Sequence, residues 1–221
     1  MRVRTHPSLL YVALLVFGSL GIAAAAQDEL DGWKPGRAAD GPGYAYRVYS
    51  KQTEGEGFVR YRVRGTIEAP AERLPASVRV IVLDPAFVPD GQSRRVLVDA
   101  PGEFVVYTRI DLPPLFSDRD IVSRGVPSFH ASRGAHRIDW QSFEHPEAPP
   151  VDGVIRIRRA AGAWEFTQLD ERTSHVDYQT HIDLGGSLPG WLIQPLMAST
   201  VAQNFEDLAR LALNRRTAAL D

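Results

Sequence analysis

Trp164-Glu165-Phe166-Thr167-Gln168-Leu169 passes through Asp170-Glu171-Arg172 into Ser174-His175-Val176-Asp177-Tyr178-Gln179-Thr180-His181-Ile182-Asp183-Leu184. The corner Gly185-Gly186-Ser187-Leu188-Pro189-Gly190-Trp191 follows, and then a helical pattern that ends near Asn214. The first two segments read as strands. In the last, Ile193, Leu196, Met197, Val201, Phe205, Leu208 and Leu211 or Ala212 recur at spacings of three and four, the stripe of an amphipathic helix. Gln203, Glu206, Asp207 and Arg210 take the other side, and Pro195 either lies in the first turn or kinks the helix there. A sheet that ends by delivering one long helix can carry that helix across its curved face with space left between. That arrangement points to a container for an apolar ligand more than to a machine for a reaction.

Upstream, Tyr44 to Lys51 has strand character, and Thr53 to Gly57 reads as a turn. From Phe58 to Glu68 the chain alternates, with Val59, Tyr61, Val63 and Ile67 on one face and Arg60, Arg62, Arg64 and Glu68 on the other. Ala69-Pro70-Ala71-Glu72 opens a helix that runs to Leu83, with Pro75 in its first turn and Asp84-Pro85 ending it. Strands are expected over 94–99, 103–112, 120–129, 136–144 and 154–159. Sequential strands with short links favour an antiparallel sheet, and the element order is that of an α+β protein.

The chain has 221 residues, 44% of them apolar, enough for one domain with a real core. A formal net charge of −2 argues against a global basic field for nucleic acid. There is no cysteine, which excludes disulfides, thiolate metal sites and lipoprotein processing. Residues 1–26 read as a signal peptide: Arg2 and Arg4, the apolar run Leu9 to Ile22, then Ala23-Ala24-Ala25-Ala26 with cleavage expected before Gln27. The alternative is an uncleaved anchor. Residues 27–43 read as a polar lead-in, 44–214 as the folded domain and 215–221 as a tail. The expected location is periplasmic or secreted.

Taken in order, these segments resemble a known family. Ser117-Asp118-Arg119-Asp120-Ile121-Val122-Ser123 is similar to a strand start of StAR-related lipid-transfer (START) domains, here of an exported bacterial type. Gly153-Val154-Ile155-Arg156, Gly162-Ala163-Trp164 and Asp183 through Leu192 with the helix behind them fit the same family in the same order, as do the opening strands with Ala69-Pro70 entering a helix. The resemblance spans Trp33 to Leu213. It implies a helix-grip fold: a curved antiparallel β-sheet wrapped around a long C-terminal α-helix. It also implies a tunnel for one apolar ligand (lipid, sterol or similar) and transfer between membranes; separately, the apolar loop Leu112 to Phe116 suits transient contact with a membrane surface or packing on the C-terminal helix, and a monomer without cofactor is expected. The implied gate is Leu112-Pro113-Pro114-Leu115-Phe116.

Strand parity, with the tunnel supplied by the resemblance, nominates a wall of Tyr61, Val63, Phe104, Val106, Thr108, Ile110, Trp164, Phe166, Val176, Tyr178 and Thr180, with Ile193, Met197 and Val201 from the helix. Without the resemblance, the same pattern reads as a solid core. Where some sterol-binding relatives bury an acid and an arginine on facing strands, this sequence has Thr108 and Gly125, so a charged clamp is not expected. The alternative function is an enzyme of cyclase or aromatase type using the same cavity, with Tyr61, Tyr178 or a cavity-facing histidine as acid or base. The sequence carries no nucleophile elbow, phosphate loop or zinc-helix motif. His175, Asp177, His181 and Asp183 share one strand face but stretch too far for one ion, so no metal site is assigned and the face reads as solvated. Arg156, Arg158 and Arg159 with Arg60, Arg62 and Arg64 could form a basic outer patch facing anionic headgroups.

Overall fold

The computed structural model describes residues 30–52, 58–186 and 188–217. Residues 1–26, read from sequence as a signal peptide, the start of the lead-in, the expected turn at 53–57, Ser187 and the last residues of the tail lie outside the described residues. Leu30 to Trp33 forms a turn in which the Trp33 amide donates to the Leu30 carbonyl at 2.9 Å.

From Lys34 the described chain forms β1 (Lys34–Gly41), β2 (Tyr44–Gln52) and β3 (Val59–Ile67), then helix α1 (Leu74–Leu83) behind a short 3₁₀ turn at Ala71–Arg73. Next come β4 (Gln92–Ala100), β5 (Glu103–Ile110), β6 (Arg119–His130), β7 (Ala135–Ser142), the two-residue β8 (Ile155–Arg156), β9 (Arg159–Gln168) and β10 (Ser174–Asp183). Helix α2 (Gly190–Thr217) closes the fold. The strands form one sheet in the order β1-β2-β3-β10-β9-β7-β6-β5-β4, antiparallel along this path, with β8 pairing in parallel to β6. This is the helix-grip α+β architecture: a long curved antiparallel sheet holding a C-terminal helix.

Several boundaries differ from the sequence reading; the strand read over 154–159, for one, is only Ile155–Arg156, and the helix read from Ala69 begins at Leu74. β1 lies within the stretch read as a polar lead-in. Its Gly and Pro residues hide any alternation, yet it pairs with β2 from Lys34 opposite Ser50 to Gly41 opposite Tyr44, at the sheet edge where proline is tolerated. β9 begins five residues before Trp164, at Arg159. Helix α2 continues past Asn214 because neither glycine nor proline follows to stop it.

The core lies between the sheet and the two helices, α1 and α2. Val63, Ile67, Phe166, Val176, Phe205 and Leu208 are completely buried together there. Gly65 permits this packing: a Cβ at that position would sit 2.7 Å from the Phe205 ring and 2.2 Å from the Ala45 carbonyl oxygen. Helix α2 is also tied to the sheet edge, since Glu206 accepts from Arg37 of β1 at 2.7 Å and from the Tyr46 hydroxyl.

The outer face of the sheet is neither a basic patch nor a bare solvated face. Asp177 accepts from the Arg62 Nε at 2.9 Å and lies 3.6 Å from Arg64. Asp120, completely buried, takes both ends of the Arg156 guanidinium at 2.7 and 3.0 Å. Arg158 meets Glu144, and Arg159 meets Asp183. Acids on neighbouring strands and loops stand opposite these arginines, a pairing that parity within one strand does not reveal.

Candidate functional site

The apolar side chains of the inner face meet those of α2 along only part of the helix. Between the β4–β7 half of the sheet, α1 and the first half of α2 lies a cavity of about 220 Å³. Alternate residues of β5 (Phe104, Val106, Thr108, Ile110) form one wall, and β6 continues it with Ile121, Ser123 and Gly125. Gly125 is bare because the Phe104 ring lies over it, 2.2 Å from where a Cβ would be. Trp140 of β7, Trp164 of β9 and Tyr178 of β10 form the floor, with Trp164 and Tyr178 paired in register and stacked at 3.9 Å between ring centroids. Helix α2 contributes Leu196, Met197, Thr200, Val201 and Asn204, and α1 contributes Val78, Ile81 and Val82, at helical spacings.

Of the residues nominated from sequence, Phe104, Val106, Thr108, Ile110, Trp164, Tyr178, Thr180, Met197 and Val201 line this cavity. Val63, Phe166 and Val176 do not. They share the inward parity but belong to the filled core. Tyr61 and Ile193 line a second cavity of about 250 Å³ toward the start of α2. Met197, Ile182 and Leu184 belong to both cavities and stand between them. As parts of the wall, the sequence reading missed the α1 residues, Ile121, Ser123 and Gly125 of β6, Trp140 of β7, and Gln92 and Arg94 of β4. The α1 residues were visible as an apolar helix face. Arg94 gave no signal, because an arginine in an edge strand reads as solvated.

The polar groups of the wall are few. Arg119, at the start of β6, is buried, and its guanidinium donates to the carbonyls of Leu184 at 3.1 Å, Gly185 at 2.8 Å and Ser117. It thereby ties β6 to the Gly185-Gly186 corner, where both glycines adopt φ of +65° before α2 begins. Arg94 donates through Nη1 to the carbonyls of Ile81 at 2.8 Å and Val82 at 3.0 Å in the last turn of α1, a favourable place for a cation. Its Nε is buried without a partner, and desolvation lowers its pKa. The Thr180 Oγ1 is likewise buried without a hydrogen-bond partner. Burial pushes the Tyr178 hydroxyl up to about 12, while Thr180 and Asn204 nearby oppose the rise. The Tyr61 hydroxyl is raised by desolvation and donates to the Gln194 carbonyl at 3.2 Å. Among the described residues no histidine lines either cavity.

The loop after β5 stands at the cavity's edge. Leu112 lines the wall, whereas Leu115 is 91% exposed. A turn in which the Phe116 amide donates to the Pro113 carbonyl at 2.9 Å shapes the loop. Asp118 anchors it, accepting from the Leu112 amide at 3.1 Å and from Arg109 at 2.6 Å. Arg109, and secondarily the Leu112 amide, hold the Asp118 carboxyl below the usual carboxylate range. Opposite the loop, Leu196 of α2 lines the cavity while remaining 42% exposed.

Comparison with known proteins gives a consistent result. The family described as the START domain matches residues 101–218, more than half of the chain. The chain is 27% identical over 175 residues to the phosphatidylcholine transfer protein of Bos taurus, covering 76% of this chain and 79% of that protein. An uncharacterized protein of Pseudomonas aeruginosa is 23% identical over 209 residues, covering 92% of this chain and 96% of that protein. Among solved structures, the StAR-related lipid transfer protein from Xanthomonas axonopodis superposes with a TM-score of 0.67 at 26% identity, covering 82% of this chain and 99% of that one.

Proposed function

Because the chain belongs to the START domain family, we propose that it binds a single lipid in the cavity beneath the first half of α2 and transfers it between membranes. The observation that carries this reading is the cavity itself: an apolar chamber between sheet and helix, open beside Leu196 and the Leu112 loop. Its volume, and that of the chamber beyond Met197, each fall short of the roughly 300–1,000 Å³ of ordinary ligand pockets. Together they reach that range. Met197 is the flexible partition, an unbranched side chain that can turn aside when a chain threads past.

Leu112-Pro113-Pro114-Leu115-Phe116 is the gate in this reading, with Asp118 as its latch. Leu115 and Trp191, 91% and 75% exposed, supply apolar contact with a membrane surface during exchange. The N-terminal pattern of Arg2, Arg4, the run Leu9 to Ile22 and Ala23 to Ala26 supports export, with the protein working as a monomer outside the cytoplasm.

Native mass spectrometry of residues 27 onward, purified without detergent and followed by solvent extraction, tests the binding reading. A discrete added mass of lipid size, lost on denaturation, is the expected result. A clean apo mass that takes up no lipid from vesicles would overturn it. The gate is tested by cross-linking L112C to L196C with a short bis-maleimide, since the chain has no cysteine of its own. Vesicle-to-vesicle transfer should stop, and unchanged transfer by fully linked protein would sink the gate.

A further inference from the structure

The cavity wall carries two guanidinium groups and, among the described residues, no carboxylate. The two arginines are not alike. Arg119 spends its donors on three carbonyls and serves the corner before α2. Arg94 donates through Nη1 to the last turn of α1, and among the described residues no acid pairs with it. Its Nε is buried with no acceptor at all. Elsewhere on the sheet the buried or nearly buried arginines Arg62 and Arg156 each have an aspartate. A desolvated cation beside an apolar chamber is costly unless an acceptor meets it. The helix end meets only part of this one.

We propose that the ligand carries an anionic head, a phosphate or a carboxylate, that seats on Arg94. Thr108, directly opposite Arg94 in the β4–β5 register, and Gln92, two residues earlier on the same strand, lie on the same stretch of wall and offer further donors. The apolar tail then runs over Phe104, Trp164 and Tyr178 toward Met197. A guanidinium fork suits either head, because both present two oxygens in a plane. The proposal rests on the lipid-binding reading and narrows it: the head is acidic, and it lies at the α1 end of the chamber.

The test uses three single-chain probes that differ only in the head: oleic acid, oleoyl lysophosphatidic acid and monooleoylglycerol. Quenching of Trp140 and Trp164, both in the wall, reports occupancy. At least one acid should bind wild-type protein at least about tenfold more tightly than monooleoylglycerol, the scale of a charge-assisted hydrogen bond. R94Q, which keeps a donor for the α1 carbonyls but loses the charge, should abolish that preference. R94K should keep most of it. Which acid binds more tightly separates phosphate from carboxylate. Equal affinity of wild type for all three heads, or a preference that survives in R94Q, overturns the proposal while the lipid-binding reading stands. Binding of none of the three overturns both. If R94Q loses its cooperative melt, the wild-type comparison and R94K still decide.

Discussion

The two halves of α2 face the same sheet and behave in opposite ways. From Ala202 to Ala212 the helix packs on β2 and β3, with Phe205 against Tyr46 and Gly65, and Phe205, Leu208 and Ala209 are completely buried. From Ile193 to Val201 it spans two chambers, with only Met197 and Val201 deeply covered. One half is a clamp and the other a lid. Stability resides in the clamp, so the lid can border voids and carry a proline at position 195 without unfolding the protein.

Truncation is the most direct way to break this contrast. Phe205→Ala should cost about 3–5 kcal/mol of folding free energy in urea melts, because a close-packed ring leaves a cavity that cannot collapse. Met197→Ala should cost no more than roughly 2 kcal/mol, the lower end for a buried methionine, since its side chain already borders empty space. The same change should join the two chambers and raise uptake of long-chain ligands. Equal costs at the two positions would show that the halves do not differ. Thr180→Val sharpens the comparison on the polar side. It removes a hydroxyl that lacks a partner, so the melting temperature should rise by the equivalent of up to about 1 kcal/mol. A loss of stability would instead show that the hydroxyl serves Tyr178.

The smallest effect is local to the gate. The folded-state pKa of Asp118 is depressed, so its contribution is complete above the ordinary carboxylate value of 3.8 and is lost as pH falls through the lower folded value. At neutral pH the latch is therefore fully made. Asp118→Asn should speed hydrogen exchange at the Leu112 amide at pH 7 and leave the Phe205 region unchanged. Uniform acceleration across both regions would mean that the loop is not an independent element.

Periodicity was enough to mark β3 and α2, because alternation and three-four spacing are properties of one segment and its neighbouring water, whereas β1, without alternation, stayed hidden. It also selected the correct face of β5, where Phe104, Val106, Thr108 and Ile110 all turn inward. What lies across from a face is another matter. Val63, Phe166 and Val176 share inward parity with Val106 and Tyr178, yet the first three belong to the filled core while the other two line the chamber. The curvature of the sheet and the seat of α2 set that separation, and both arise from contacts between distant segments. The same holds for charge. Arg62 and Arg94 look alike in sequence, as arginines within strands. The fold gives Asp177 to Arg62 and an apolar chamber to Arg94. The sequence by itself determined which residues could face inward. Only the tertiary structure decided which of them meet a partner and which are left to meet a ligand, because packing distance is a property of two surfaces and not of one strand.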